Sequence, residues 1–345
     1  MPQAWKIKKA GSLDSLQCIE QNLPQLKSAE VKIKVKAIGL NFADIFAIQG
    51  LYSATPKGSF IPGLEFSGEI IEAHSTITDN YKVGDRVMGV TRFGAYTNEI
   101  NINISHLWKL PDEWSCKEGA AFPVQAFTAW YGLIKLGNLQ SKQTVLVHSA
   151  AGGVGYWALE IIDKMGSTAI CTIGNEEKVQ FLKDHFSVLP SQIIIRSKKN
   201  FKTQIENLLR DTKKDGLDIV FDAIYGPYFQ AAYKCMNPGG RHIIYGAATL
   251  MTQGIKPNYL QVVYRYLKRY RPDPLEMISD NKSIMGFNLI WLWDRIEELQ
   301  GEFLDMMGDF QRRPHIDRVF SFAEMKEAIQ HLQTGKTKGK VVVET

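Results

Sequence analysis

The sequence predicts an α/β protein: a doubly wound parallel sheet preceded by a smaller β-rich domain. Three observations carry that prediction. The apolar run Val145-Leu146-Val147 enters a small-residue turn, His148-Ser149-Ala150-Ala151-Gly152-Gly153-Val154-Gly155, after which Val154, Trp157, Ala158, Ile161, Ile162 and Met165 recur at helical spacing. This reads as strand, tight turn, helix. Downstream, short apolar runs alternate with helical patterns of about ten residues, which implies βαβ units. Upstream, Val31, Ile33 and Val35 alternate strictly with Lys32, Lys34 and Lys36, the pattern of a half-buried antiparallel strand.

Taken in order, the first 120 residues hold strands over 31–37, 68–73, 86–90 and 95–102, with Val83-Gly84-Asp85 as a turn and a short helix over 42–48. Beyond the glycine turn come a strand over 168–173, a helix over 177–186, a strand over 192–195, a helix over 201–211 and a strand over 217–221. Pro238-Gly239-Gly240 then turns into a strand over 241–245, and a helix over 289–310 returns the chain to its first domain. The domains expected are 1–122 with 290–345, and 123–289.

Small residues at 150–155 let the backbone approach a pyrophosphate, with the first N–H groups of the helix facing the anion. Set against G-x-G-x-x-G, alanine stands in the first glycine's place. In its strand and helix context the turn is read as a dinucleotide site. The end of the next strand chooses the nucleotide, because NAD enzymes usually place an acid there for the ribose 2′-hydroxyl. Here it reads Thr172-Ile173-Gly174-Asn175-Glu176-Glu177-Lys178, with room at Gly174 for a 2′-phosphate and Lys178 one turn on to neutralise it. Arg196 is a second cation, and NADPH is expected over NADH. The other reading takes Glu176 and Glu177 as helix N-terminal acids and Lys178 as a solvated surface charge. His148 reads as a buried strand histidine rather than a catalytic one, and Cys171 and Cys235 as small core hydrophobes.

With 345 residues, 45% of them apolar, there is material for two cores. Lys+Arg 41 against Asp+Glu 36 suits an anionic cofactor and does not by itself call for nucleic acid. Cys18, Cys116, Cys171 and Cys235 form no C-x-x-C, against a disulfide framework or a Cys-rich zinc site. Without a signal-like or membrane-spanning apolar run, a cytoplasmic chain is expected.

The runs Ile38-Gly39-Leu40-Asn41-Phe42-Ala43-Asp44, Pro62-Gly63-Leu64-Glu65-Phe66-Ser67-Gly68 and Val83-Gly84-Asp85-Arg86-Val87, followed by the glycine turn, resemble the zinc-independent quinone oxidoreductase branch of the medium-chain dehydrogenase/reductase superfamily. Ile284-Met285-Gly286-Phe287-Asn288-Leu289, Pro314-His315-Ile316-Asp317 and Gly339-Lys340-Val341 are most similar to VAT-1-like members. The resemblance implies a GroES-like catalytic domain, a Rossmann domain binding NADPH in the cleft between the two, and a homodimer. It implies no zinc, since Asn41, Leu64 and Val124 stand where zinc-dependent relatives carry ligands. It implies Asn41, Asp44 and Tyr52 as catalytic candidates, Asn41 donating to a substrate carbonyl and Tyr52 or water supplying a proton. Phe46 stands where a second tyrosine is common. On the cofactor side it implies Thr128, Ala151, Gly152, Gly153, Val154, Gly174, Lys178, Arg196, Tyr245 and Asn288. Without a Lewis acid, hydride goes to a quinone or an α,β-unsaturated carbonyl, whose charge hydrogen-bond donors can hold. Structural readings stand beside these: Asn41 and Asp44 as caps of the helix over 42–48, Tyr52 as a wall.

Over 256–271, Lys256, Arg265, Lys268, Arg269 and Arg271 are interleaved with Tyr259, Tyr264, Tyr266 and Tyr270, with no acid. Such a segment closes a cleft, covers a dimer interface, or meets headgroups or nucleic acid. Two functions stand open: an NADPH-dependent reductase of quinones or enones, or, as the VAT-1 likeness implies, a membrane-associated or lipid-handling protein with little turnover.

Overall fold

The computed structural model describes all of the 345 residues except 78, 79, 198, 309 and 311, with Met307 described by its backbone alone. The chain divides into two compact units, one of Met1–Val124, Gln253–Pro257 and Leu289–Thr345, the other of Gln125–Thr252 and Asn258–Asn288.

The first unit opens with β1 (Gln3–Ile7) and β2 (Leu16–Glu20), an antiparallel pair. Its central strand is β3 (Glu30–Gly39), where Val31, Ile33 and Val35 are wholly buried and the alternating lysines are not. α1 (Phe42–Ile48), β4 (Glu65–Ala73), β5 (Arg86–Val90), β6 (Glu99–Asn103), β7 (Leu107–Lys109) and α2 (Cys116–Ala120) follow. β6 starts four residues later than the strand expected over 95–102. Thr97 Oγ1 lies 2.9 and 2.8 Å from Gln3 O and Glu99 O, sharing its one hydrogen between them, and residue 97 makes an isolated bridge to Ala4 instead of a ladder. Along α3 (Pro123–Trp130) the chain passes into the second unit.

There β8 (Thr144–His148), α4 (Gly153–Lys164), β9 (Thr168–Ile173), α5 (Val179–His185), β10 (Ile193–Ile195), α6 (Phe201–Asp211), β11 (Leu217–Asp222), α7 (Phe229–Lys234), β12 (Met236–Ile244), α8 (Tyr259–Leu267), α9 (Pro274–Asp280) and β13 (Ser283–Gly286) succeed one another. The six strands are all parallel, in the order β10-β9-β8-β11-β12-β13. The winding therefore reverses between β8 and β11, and ligands of such sheets bind beside the carboxyl ends of the strands at that point. Leu146, Ile170, Val220 and Phe229 form part of the core.

The turn expected at Pro238-Gly239-Gly240 lies inside β12 and does not precede it. Met236 pairs with Leu217 and Arg241 with Ile219, so residues 237–240 bulge out of the ladder opposite Asp218. Proline, which lacks an N–H for the ladder, is tolerated at such a bulge.

The chain returns to the first unit through a 3₁₀ segment, Leu289–Arg295, and α10 (Ile296–Met307). A continuous helix over 289–310 was expected; Arg295, at φ −118° and ψ 21°, interrupts it, and residue 309 lies outside the described residues. β14 (Ile316–Ser321), α11 (Met325–Gln333) and β15 (Lys340–Glu344) complete the unit. β15 enters between β14 and β3 in the order β14-β15-β3-β4-β5-β7, pairing with residues 37–39 of β3, while β6 pairs with residues 30–34.

Candidate functional site

The sequence-predicted residues fall into two groups, one in each unit. In the second unit the glycine turn joins the carboxyl end of β8 to α4. Ser149 takes φ 56° and turns the chain sharply, and Gly152 is the N-cap of α4, with no side chain capping the helix. The first N–H groups of a helix have no partner within it and carry its positive end. Each glycine here has a distinct reason. A Cβ on Gly153 would fall 1.9 Å from the Gln125 amide, and one on Gly155 would fall 2.5 Å from Ala150 O. On Gly152 it would meet Ser149 O alone, at 3.2 Å, so the space beyond the helix end is open. Ala151 is wholly buried, and Val154 in the first turn of α4 is half-buried.

The ends of β9 and β10 bring Gly174 and Arg196 together: a Cβ on Gly174 would lie 3.5 Å from Arg196 Nη2 and meet nothing nearer. Arg196 Nη1 donates to Thr172 O and Oγ1 at 3.1 and 3.0 Å, and the guanidinium lies 5.7 Å over the Tyr228 ring. Burial lowers its pKa from the free value. Lys178, between the 3₁₀ turn Glu176–Lys178 and α5, is 8% exposed, which rules out the solvated surface charge weighed for it. His148 lies wholly buried in β8, its Nδ1 sharing a hydrogen bond of 2.9 Å with Thr172 Oγ1. Burial pushes it down to about 3, so it stays neutral. Tyr245, just past β12, stacks on Phe221 at 4.3 Å between centroids, and burial raises its phenol. Thr128 is buried on α3, and Asn288 follows β13, half-buried.

In the first unit Asn41 is the N-cap residue of α1, and its backbone N–H donates to Asp44 Oδ2 at 2.8 Å. The Asn41 side chain turns away from the cap. Lys340 Nζ donates to its Oδ1 at 2.8 Å, while its Nδ2 donates to Glu65 Oε1 at 2.9 Å and Gly39 O at 3.3 Å. The lysine contact fixes which end of the amide is oxygen. Both amide hydrogens are thereby engaged, so in this arrangement the donation expected toward a substrate carbonyl has no hydrogen left. Glu65 and Lys340 form an ion pair with both side chains wholly buried, and Glu65 Oε2 accepts from Val124 N at 2.9 Å. Asp44 is wholly buried and accepts from the Tyr96 hydroxyl at 3.0 Å. Burial pushes its carboxyl up to about 7 against the opposing pull of the Asn41 N–H, Lys340 and Tyr96. Tyr52 is half-buried in the loop after α1, its carbonyl accepting from Thr55 N and Oγ1 at 3.0 and 2.7 Å.

Sequence reasoning missed Glu65, Tyr96, Lys340 and Gln125 as members of these groups. Glu65 and Lys340 stood inside the quoted motifs, but nothing local signals that residues 275 positions apart meet.

A GroES-like unit followed by a Rossmann unit with a glycine turn at its winding reversal defines the class: a two-unit oxidoreductase fold. Residues 27–112 match the family described as alcohol dehydrogenase GroES-like domain, and residues 192–343 match zinc-binding dehydrogenase. The chain is 31% identical over 332 residues to the synaptic vesicle membrane protein VAT-1 homolog of Danio rerio, covering 95% of this chain and 66% of that protein. It therefore spans about two thirds of that relative's length. Among solved structures, the human VAT-1 homolog-like protein superposes with a TM-score of 0.81 at 26% identity, covering 100% of this chain and 98% of that one. CurK enoyl reductase gives 0.80 at 26%, covering 99% of each. A mycobacterial protein complexed with NADPH gives 0.83 at 24%, covering 99% of this chain and 100% of that one; this likeness is one of fold. The chain belongs to the medium-chain dehydrogenase/reductase superfamily and is an oxidoreductase of that family with VAT-1-like relatives.

One family description names zinc. An amide whose atoms are already engaged, a leucine and a valine occupy the positions at which the resemblance puts zinc ligands, and these do not fit the ion. Among the described residues no cluster of three His, Cys, Asp or Glu side chains could hold a metal.

Proposed function

We propose that the protein is an NADPH-dependent reductase of quinones or α,β-unsaturated carbonyls. The observation that carries this reading is the uncapped N-terminus of α4 at the winding reversal of the sheet, with open space at Gly152 and Gly174 and with Lys178 and Arg196 following the next two strands. The open places fit phosphates, which need close backbone approach. In this reading the backbone of Ala151, Gly152, Gly153 and Val154 holds the pyrophosphate. Lys178 and Arg196 neutralise the 2′-phosphate that Gly174 admits, and Thr128, Tyr245 and Asn288 contact the rest of the cofactor.

A bound reduced nicotinamide supplies hydride to an acceptor whose charge spreads onto oxygen. Asn41, held by Lys340 and Glu65, orients the wall of the acceptor site. Asp44, whose carboxyl burial raises to about 7, and Tyr52 hold the protons the reduced product needs. The name of the enoyl reductase CurK supports the enone half of this assignment, since an enoyl group is such an acceptor.

Calorimetric titration with NADPH and NADH, followed by NADPH oxidation with phenanthrenequinone and with an α,β-unsaturated aldehyde, tests it. The phosphate contact sets NADPH at least about tenfold tighter, and Lys178→Ala removes that preference. Equal affinity for the two coenzymes, or no oxidation with either acceptor, overturns it.

A further inference from the structure

We infer that Gln125 is a further coenzyme-binding residue, whose side-chain amide donates to the pyrophosphate beside the first N–H groups of α4. The inference rests on the coenzyme reading above and adds to it a contact from α3 that the glycine turn alone does not supply. Gln125 is only 8% exposed, yet its amide has no hydrogen-bond partner among the described residues. A primary amide taken out of water without a partner is costly, and an alanine or leucine would occupy the same place without that cost. A partner that arrives with a ligand removes it.

The amide is aimed at the start of α4. A Cβ on Gly153, the first residue of that helix, would fall 1.9 Å from both Nε2 and Oε1 of Gln125. The amide therefore takes the volume that a side chain at 153 would need. Gly153 is a glycine on account of Gln125, while the open side of the turn lies at Gly152, where a Cβ would meet only Ser149 O at 3.2 Å.

The helix end beside it is equally unspent. Gly152 N donates to Ser149 O, and Tyr156 N to Gly152 O, each at 2.8 Å. Between them the N–H groups of Gly153, Val154 and Gly155 meet no acceptor among the described residues, and no side chain caps the helix. An amide oxygen so close to bare helical N–H groups would ordinarily be taken up as their cap. Here the two stand side by side, neither bonded to the other. A group that carries several acceptors satisfies both at once, and an oxyanion does so best, because the helix end is positive. Both ends of the amide reach the place equally, and toward an anion only the nitrogen can serve, since it alone donates.

The test is calorimetric titration of the purified wild type, Gln125→Ala and Gln125→Glu, with thermal melts of each. The probes are NADPH and adenosine 2′-monophosphate, which carries the 2′-phosphate but no pyrophosphate. Glutamate keeps the shape of glutamine and brings a carboxylate to the positive helix end, where it caps the bare N–H groups. Gln125→Glu should therefore melt at or above the wild type, yet bind NADPH about tenfold or more weakly, because a like charge fills the place of the phosphates. Gln125→Ala loses the donor alone and should also bind NADPH about tenfold more weakly. Both keep the wild-type affinity for adenosine 2′-monophosphate. A residue that merely packed would move stability and affinity together, and Gln125→Glu separates them. Should Gln125→Ala fail to fold, Gln125→Glu decides. NADPH affinity of a folded variant within about twofold of wild type overturns the role of Gln125 and leaves the reductase reading standing. So does an equal loss for the monophosphate, or a Gln125→Glu variant that loses stability along with affinity. A wild type that binds neither NADPH nor NADH overturns both.

Discussion

Lys340→Met removes the cation that bonds both Glu65 and Asn41. Both members of the ion pair are wholly buried, so the variant leaves a carboxylate in the core of the first unit without its counter-charge. Breaking a buried pair from one side costs about 3–5 kcal/mol. Glu65 keeps two hydrogen bonds, from Val124 N and Asn41 Nδ2, each at 2.9 Å, which places the loss near the lower end. About 3 kcal/mol corresponds to roughly 6–12 °C in melting temperature for a unit of this order of size. Urea unfolding and thermal melts of the purified variant read this directly. The double variant Glu65→Gln/Lys340→Met makes the argument specific to charge: a glutamine at 65 accepts from Val124 N and turns its Nε2–H toward Asn41, whose amide flips to accept it once Lys340 is gone, which leaves a neutral pair in the core. It should lie closer to wild type than Lys340→Met alone. A single variant within about 1 kcal/mol of wild type, or a double variant that falls further than the single, would refute the reasoning.

Asp44 gives a pH prediction of definite sign. Its carboxyl is raised from 3.8 to about 7, so between those values the folded chain holds a proton that the unfolded chain has released. Its contribution is complete below about pH 4 and is lost as the pH rises through 7, and Asp44→Asn removes the slope. Between pH 5 and 8 the wild type should lose roughly 2–3 kcal/mol relative to the variant in urea titrations, and parallel curves would count against this. Gly153→Ala places a methyl 1.9 Å from the Gln125 amide and should cost about 1–3 kcal/mol. Adding Gln125→Ala clears that space and should recover most of the loss in melting temperature; a double variant no better than the single shows that the strain lies elsewhere.

Much of the architecture is legible in the sequence because it is written at short range. The alternation of Val31, Ile33 and Val35 with lysines gives β3, and the small residues at 150–155 between an apolar run and a helical stripe give β8, its turn and α4. Phe42–Ile48, Thr168–Ile173 and Phe201–Asp211 fall where their patterns put them. The misses have local causes of another kind. Pro238 and Gly239 read as a turn, yet a four-residue bulge accommodates both within one strand. What the side chains of the candidate site do was not legible, because their partners are remote. Asn41 looks like a cap or a donor until Lys340 and Glu65 are beside it, and Lys178 looks like a surface lysine until its burial is seen.

The place of β15 has a consequence for biosynthesis. Residues 340–344 supply an interior strand of the first unit's sheet, and the lysine that neutralises Glu65 travels with them. On the ribosome, residues 1–124 emerge early and then wait with that slot unfilled while the whole nucleotide-type unit is translated, free to fold ahead of them. The first unit is thus finished last, and during that interval β3 offers bare backbone at residues 37–39 to whatever chaperone or misplaced strand arrives before its own partner does.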